Sequence, residues 1–181
     1  MTSPPLPEWA PHEAVWIGFP SDPELWLGDL KPAEREVAAF AEAVHAGGKG
    51  EKVWLVAAHV GAAETARRLC PFAEIIVEPF GDIWLRDTGP IALGSGKNRR
   101  AQGFGFNGWG GKYDLEGDQD IGERLARQAS LSFSKADWIE ACDDEAALIA
   151  ARARFRAVPF ELWQARRLVA RIDASGNVQP G

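Results

Sequence analysis

The sequence predicts an α/β fold, and three observations carry that prediction. Short apolar runs recur at 14–19, 52–58 and 74–80, stretches of helical period separate them, and Gly or Pro punctuates the junctions. Strand, helix and strand in rotation are the mark of repeated α/β units. AVWIGF (14–19), closed by Pro20, reads as the first strand. A helix follows, because Pro32 sits where a first turn tolerates it and Val37, Phe40, Ala41 and Val44 keep i, i+3, i+4, i+7 spacing; Gly47 and Gly48 supply the stop. KVWLVAA (52–58) and EIIVEPF (74–80) read as further strands, with a shorter helix over Ala62–Leu69 between them. A third helix is predicted over Asp120–Ala129, where Ile121, Leu125 and Gln128 or Ala129 line one face. VWI at 15, VWL at 53 and IWL at 83 form a weak internal echo.

Composition narrows the function. A chain of 181 residues allows one ordinary domain or a fraction of a larger one, and 46% apolar with 25% charged residues is globular. No window holds the eighteen uncharged apolar residues of a membrane span, MTSPPLPEWAPHE has neither a basic n-region nor an apolar h-region, and two cysteines make no disulfide framework. The expectation is a soluble protein of the reducing cytoplasm. A net charge of −6 argues against nucleic acid and anionic membranes as partners and mildly favours a cationic ligand. Eight Trp beside one Tyr and one Met is unusual, and Trp suits flat, partly wet pockets as well as core.

Some stretches imitate other chemistry. GFGFNG (103–108) has G-x-G-x-x-G spacing, but the chain continues WGGKYD, a turn, where a dinucleotide site needs a helix to open. It fails as a P-loop too, since Tyr113 follows Lys112 and Phe106 stands in place of the first glycine. His12, His45 and His59 are scattered, with no partner at metal-ligand spacing, so no metal site is expected. Cys70 beside Arg67 and Arg68 reads either as an activated thiol or as a buried helix-end cysteine.

The segment richest in chemistry is GDIWLRDTGP (81–90). As a strand, it would turn Ile83 and Leu85 to one side and Asp82, Trp84 and Arg86 to the other, with Asp87 entering a turn closed by Gly89 and Pro90. A carboxylate beside a flat aromatic wall suits a planar cation, because a guanidinium can stack on the ring and donate two parallel hydrogen bonds. The alternative is structural: Arg86 bridges to Asp82 or Asp87, and Asp87 only caps the turn.

GDIWLRDTGP, FNGWGGKYDL and EWAPHEAVWIGFP together resemble the agmatine deiminase family, grouped with the Porphyromonas-type peptidylarginine deiminases, over about Pro7 to Ile139. The resemblance implies a pentein fold of five ββαβ-type modules, here a partial α/β propeller, and hydrolysis of agmatine to N-carbamoylputrescine and ammonia on the route to putrescine. It implies no cofactor. Asp87 matches the family's guanidine-binding, catalytic carboxylate, Trp84 the aromatic wall of the slot, and Trp109 belongs to the second glycine-rich segment near the pocket. In such chemistry a cysteine thiolate attacks the guanidinium carbon, ammonia leaves, and water hydrolyses the adduct with a histidine as proton shuttle. The family's Glu-Gly-Gly, His-x-Asp and late Cys motifs have no counterpart after ADWI; Glu140 is at best a displaced echo, and Cys142 follows no His.

Two parts are therefore expected: residues 7–140, the deiminase-like part, and 141–181, an Ala/Arg-rich tail that reads as a truncation or shifted frame. The tail holds six Arg, no Lys and five acids, and offers a helix over Glu145–Phe155 with no strong strand after it. One reading is a deiminase-like hydrolase; the other is an inactive fragment that binds guanidinium compounds through Asp87 and Trp84. A ring cut after its second or early third module would expose strand edges, which predicts self-association.

Overall fold

The structure, a computed structural model, describes residue 7 and residues 9–181. It divides into two compact units, one ending at Ala136 and one running from Asp137 to Gly181.

In the first unit β1 (Val15–Phe19), β2 (Val53–Ala57) and β3 (Glu74–Val77) form a parallel sheet in that order. Parallel neighbours need long crossovers, and α1 (Leu30–His45) and α2 (Val60–Leu69) provide them. Asp29 caps α1 by accepting the Lys31 amide at 3.1 Å, and the helix ends at Ala46 in the left-handed conformation. His59 caps α2: its Nδ1 accepts the Ala62 amide at 3.2 Å while Nε2 lies 3.1 Å from the Ser21 carbonyl, which fixes the proton on Nε2.

The middle strand explains the apolar run that betrays it. Val53, Leu55 and Ala57 pack with Phe19, Ala41, Ala63 and Ala66 against the two helices, whereas Val56 joins Phe80, Ile121 and Leu125 on the other face. A strand covered on both faces is apolar throughout rather than alternating. The third expected strand stops at Val77, short of residue 80; Pro79 has no N–H to donate to a ladder.

A second sheet has the order β4 (Ile91–Leu93), β5 (Arg100–Phe104), β6 (Ser132–Ala136), antiparallel and then parallel. Periodicity gives no sign of these strands, because RAQGF and SFSKA mix charges, Gly and Ser in short half-exposed runs. α5 (Ile121–Gln128) leads into β6 and buries Ile121, Gly122, Leu125 and Ala126, as its spacing predicts.

The second unit corrects the reading of the tail. α6 (Asp144–Arg154) is there, capped by Asp143 at 2.8 Å from the Ala146 amide, but an antiparallel meander follows it: β7 (Phe160–Gln164), β8 (Arg167–Ile172) and β9 (Val178–Pro180). Its period of two is hidden by paired arginines. Ala170 and Ile172 are buried, while Arg171 between them turns outward and donates to Glu161 at 2.8 Å. Among the described residues no sheet closes on itself, so the architecture seen is mixed α/β and no closed propeller is formed.

Candidate functional site

GDIWLRDTGP is not the strand that its alternation predicts. Residues 81–83 bend, and α3 (Leu85–Thr88) is a single helical turn. The Leu85 amide donates to the Ile83 carbonyl at 2.8 Å, the Asp87 amide to the Trp84 carbonyl at 3.0 Å and the Gly89 amide to the Leu85 carbonyl at 2.8 Å. The buried Thr88 hydroxyl adds a bond to the Trp84 carbonyl at 3.2 Å. Local bonds of this kind compete with ladder formation and win here. Part of the alternation survives, because Ile83 and Leu85 pack into the second core cluster while Trp84, Arg86 and Asp87 are exposed.

The turn rests on β1 because Gly18 has no side chain. A Cβ there would lie 2.7 Å from the Ile83 carbonyl oxygen and 2.8 Å from its Cα. The loop before the turn is held from the other side. Asp118, only 3% exposed, accepts the Gly81 amide at 2.7 Å and a second bond from the Asp82 backbone. Burial pushes the Asp118 carboxyl above the usual carboxylate range and the neighbouring Asp82 charge adds to the rise, against the two backbone bonds.

FNGWGGKY brings a second half-exposed indole close to Trp84. α4 (Gly108–Gly111) is helical in name only: Trp109 and Gly110 are left-handed, with φ of 53° and 81°, and Asn107 closes the turn by accepting the Gly110 amide at 3.0 Å. Trp109 stands perpendicular to Trp84, ring centroids 6.5 Å apart, and meets Phe106 at 4.9 Å and Tyr113 at 5.9 Å, also edge to face. Trp84 is 53% exposed and Trp109 43%, so the walls face solvent. Among the described residues the Asp87 carboxylate makes no hydrogen bond or ion pair, and the structural bridge to Arg86 is not formed at that carboxylate. Two perpendicular indoles and, on the turn that follows Trp84, a carboxylate without a partner among the described residues are groups that suit a flat cation, by ring-face attraction and paired N–H donation.

The other sequence candidates do not join this group. Cys70 is fully buried, and burial, with the Glu42 charge, pushes its thiol up, so it is the helix-end cysteine and not an activated one. Cys142 is exposed, its sulfur 3.6 Å from Asp143 Oδ2. His45 stacks on Phe72 at 4.6 Å, His12 pairs with Glu51 at 3.2 Å, and His59 caps α2. No group of three or more His, Cys, Asp or Glu among the described residues could hold a metal ion. Nor is any described helix long and apolar enough to cross a membrane.

Sequence reasoning missed Asp118, Gln119 and Arg124. Gln119 donates to the Phe106 carbonyl, and Arg124 to the Pro79 carbonyl and, at 3.1 Å, to the Gly117 carbonyl. Arg124 Nε also lies 3.2 Å from Glu78, as an ion pair without hydrogen-bond geometry. The available signal is the glycine beside each acid, Gly81–Asp82 and Gly117–Asp118: Gly81 leaves room for the Leu115 and Asp118 side chains, and Gly117 for the Pro79–Phe80 backbone.

Comparison with known proteins gives the family of this α/β scaffold. The sequence profile of the Porphyromonas-type peptidyl-arginine deiminases matches residues 5–142, and the chain belongs to that family. It is 38% identical over 107 residues to agmatine deiminase of Pseudomonas aeruginosa (strain LESB58), covering 58% of this chain and 28% of that protein. Agmatine deiminase of Pseudomonas putida is 37% identical over the same length, with the same shares. Among solved structures, a C. jejuni agmatine deiminase variant with substrate bound superposes with a TM-score of 0.64 at 25% identity, over 77% of this chain and 40% of that one. The C. jejuni agmatine deiminase itself gives 0.60 at 25% identity, over 75% and 40%. The chain thus spans about 28% of the length of these curated relatives.

Proposed function

We propose that the chain carries the guanidinium-binding part of an agmatine deiminase-like hydrolase, the enzyme type that converts agmatine to N-carbamoylputrescine and ammonia in putrescine synthesis. The observation that carries this reading is the Asp87 carboxylate, without a partner among the described residues, on the turn that also presents Trp84, with Trp109 perpendicular to that indole. Asp87 takes two guanidinium N–H donors, Trp84 walls the slot, and Trp109 limits its width. The family relationship and the substrate-bound C. jejuni neighbour support agmatine as the ligand. In this proposal the two sheets of the first unit are the opening modules of a partial propeller, the protein works in the cytoplasm, and residues 7–140 are its deiminase part.

A second reading, binding without turnover, is favoured by the state of the thiols and imidazoles. Cys70 is buried with its thiol pushed up, and all three histidines are engaged in caps, stacks or ion pairs. Agmatine-dependent ammonia release by the purified chain separates the two readings.

The binding role is tested by Asp87→Asn, which keeps a side-chain oxygen and removes the charge. A charge-assisted pair of hydrogen bonds contributes roughly 1.5–3 kcal/mol, which corresponds to a Kd of roughly 6–80 mM, so agmatine should be a weak ligand of the isolated chain, millimolar at best. The expected result is an unchanged melting temperature with agmatine-induced NMR shifts lost. Unchanged shifts with a lowered melting point would refute the role.

A further inference from the structure

We infer that Asp118 is a positioning residue: its buried carboxylate holds the Gly81–Ile83 loop so that Trp84 stays perpendicular to Trp109 and Asp87 stays at the mouth of the slot. The inference rests on the reading of Trp84, Asp87 and Trp109 as that slot, and it concerns a residue that lines no part of it.

The two aromatic walls come from segments about 25 residues apart in sequence, with β4 and β5 between them. What they share is the segment 115–124. At one end Asp118 takes the Gly81 amide at 2.7 Å and the Asp82 backbone, just ahead of Trp84. One residue further on, Gln119 donates to the carbonyl of Phe106, whose ring packs on Trp109 at 4.9 Å. A single stretch of chain therefore fixes both walls. The contact at Gly81 is close: a Cβ there would fall 2.2 Å from Leu115 Cβ and 2.9 Å from Asp118 Oδ2. The bond also leads directly to the site. Asp82 folds back to accept the Ile83 amide at 2.7 Å, Ile83 lies on Gly18 of β1, and the Ile83 carbonyl accepts the Leu85 amide that starts the α3 turn. Buried carboxylates that accept backbone amides and have no cation partner among the described residues are unusual because desolvation opposes them, and one placed three residues before α5 at the back of a site loop orders that loop.

The experiment compares the full chain with Asp118→Ala and Asp118→Asn, by NMR, without ligand. Alanine leaves the Gly81 and Asp82 amides without their acceptor; asparagine keeps an oxygen in place. Expected for Asp118→Ala are loss of the Trp84–Trp109 ring-proton cross-peaks and a shifted Trp84 indole resonance, with β1 and β2 amides unmoved; Asp118→Asn should retain the wild-type pattern. Cross-peaks kept in both variants, or lost in both, overturn the inference, whatever the melting temperature does. Should a variant fail to fold, hydrogen exchange of the wild-type Gly81 amide decides: exchange at least about tenfold slower than an open amide is expected, and exchange at the open rate overturns it. Agmatine enters neither measurement, so a failure of the guanidinium reading does not register in them.

Discussion

Gly18→Ala adds one methyl group between β1 and the loop that leads into Trp84. The new Cβ would sit 2.7 Å and 2.8 Å from two backbone atoms of Ile83, where ordinary contact begins at 3.4 Å. One backbone must therefore retreat by roughly 0.6 Å, a distance that close-packed interiors do not absorb freely. Neither side moves easily. Gly18 is in register with Val56 of the doubly covered β2, and Ile83 packs into the second core cluster with Phe80, Ile121 and Leu125. Overpacking of this kind costs about 1–3 kcal/mol, which for a chain of this size lowers the melting temperature by roughly 2–10 °C. The site should suffer separately. Misplacement by about 1 Å can cost about a hundredfold in a positioned interaction, so a shift of little more than half that should weaken agmatine binding by roughly tenfold. Near-ultraviolet circular dichroism on heating reads the first effect through the tertiary environment of the chain's eight Trp, and an NMR titration with agmatine reads the second. A variant that melts within about 1 °C of the wild type and binds agmatine equally well would refute the idea that β1 sets the height of the turn.

Two further outcomes are expected. Asp118 keeps its proton to higher pH in the folded chain than in the unfolded one, mainly because it is buried, so folding takes up a proton between the ordinary carboxylate range and its raised value. Its favourable contribution is present below that window and lost as pH rises through it; Glu74, Asp144, Glu161 and Asp173, all shifted down, work in the opposite sense. Asp118→Asn should accordingly gain in melting temperature relative to wild type as pH rises through the window, and a difference that stays flat with pH would contradict this. Asp143→Ala removes the cap of α6 and should cost that helix about 1 kcal/mol, seen as faster hydrogen exchange at Ala146 and Ala147.

The legible parts of the fold are those whose burial is simple. β2 is covered on both faces and reads as an apolar run, and α1 shows a stripe of period 3.6 with Pro32 in its first turn and Gly47 past its end. β5, β6 and the tail meander escaped because half-buried strands with Arg, Lys and Ser outside carry little pattern; Arg171 and Arg167 are there to pair with Glu161 and Asp144. At the site the residue types pointed to the chemistry but misled on geometry, since the alternation in DIWLR is also compatible with a bend whose apolar members face the core. Asp118 was illegible for a different reason. A buried acceptor looks like any loop acid until the amides that need it are located 37 residues away.

The shared anchoring of two loops by residues 115–124 sets which changes of length the chain can absorb. The hairpin connection between β4 and β5 is exposed, with Gly94 and Gly96 left-handed, and it carries neither wall. Extra residues there lengthen a surface excursion at small entropic cost. One residue added between Leu115 and Asp120 would instead put Asp118 and Gln119 out of step with Gly81 and Phe106 together, and both indoles would lose their reference at once. Natural and engineered variation in length should accordingly accumulate in the hairpin and be purged from the short acidic stretch ahead of α5.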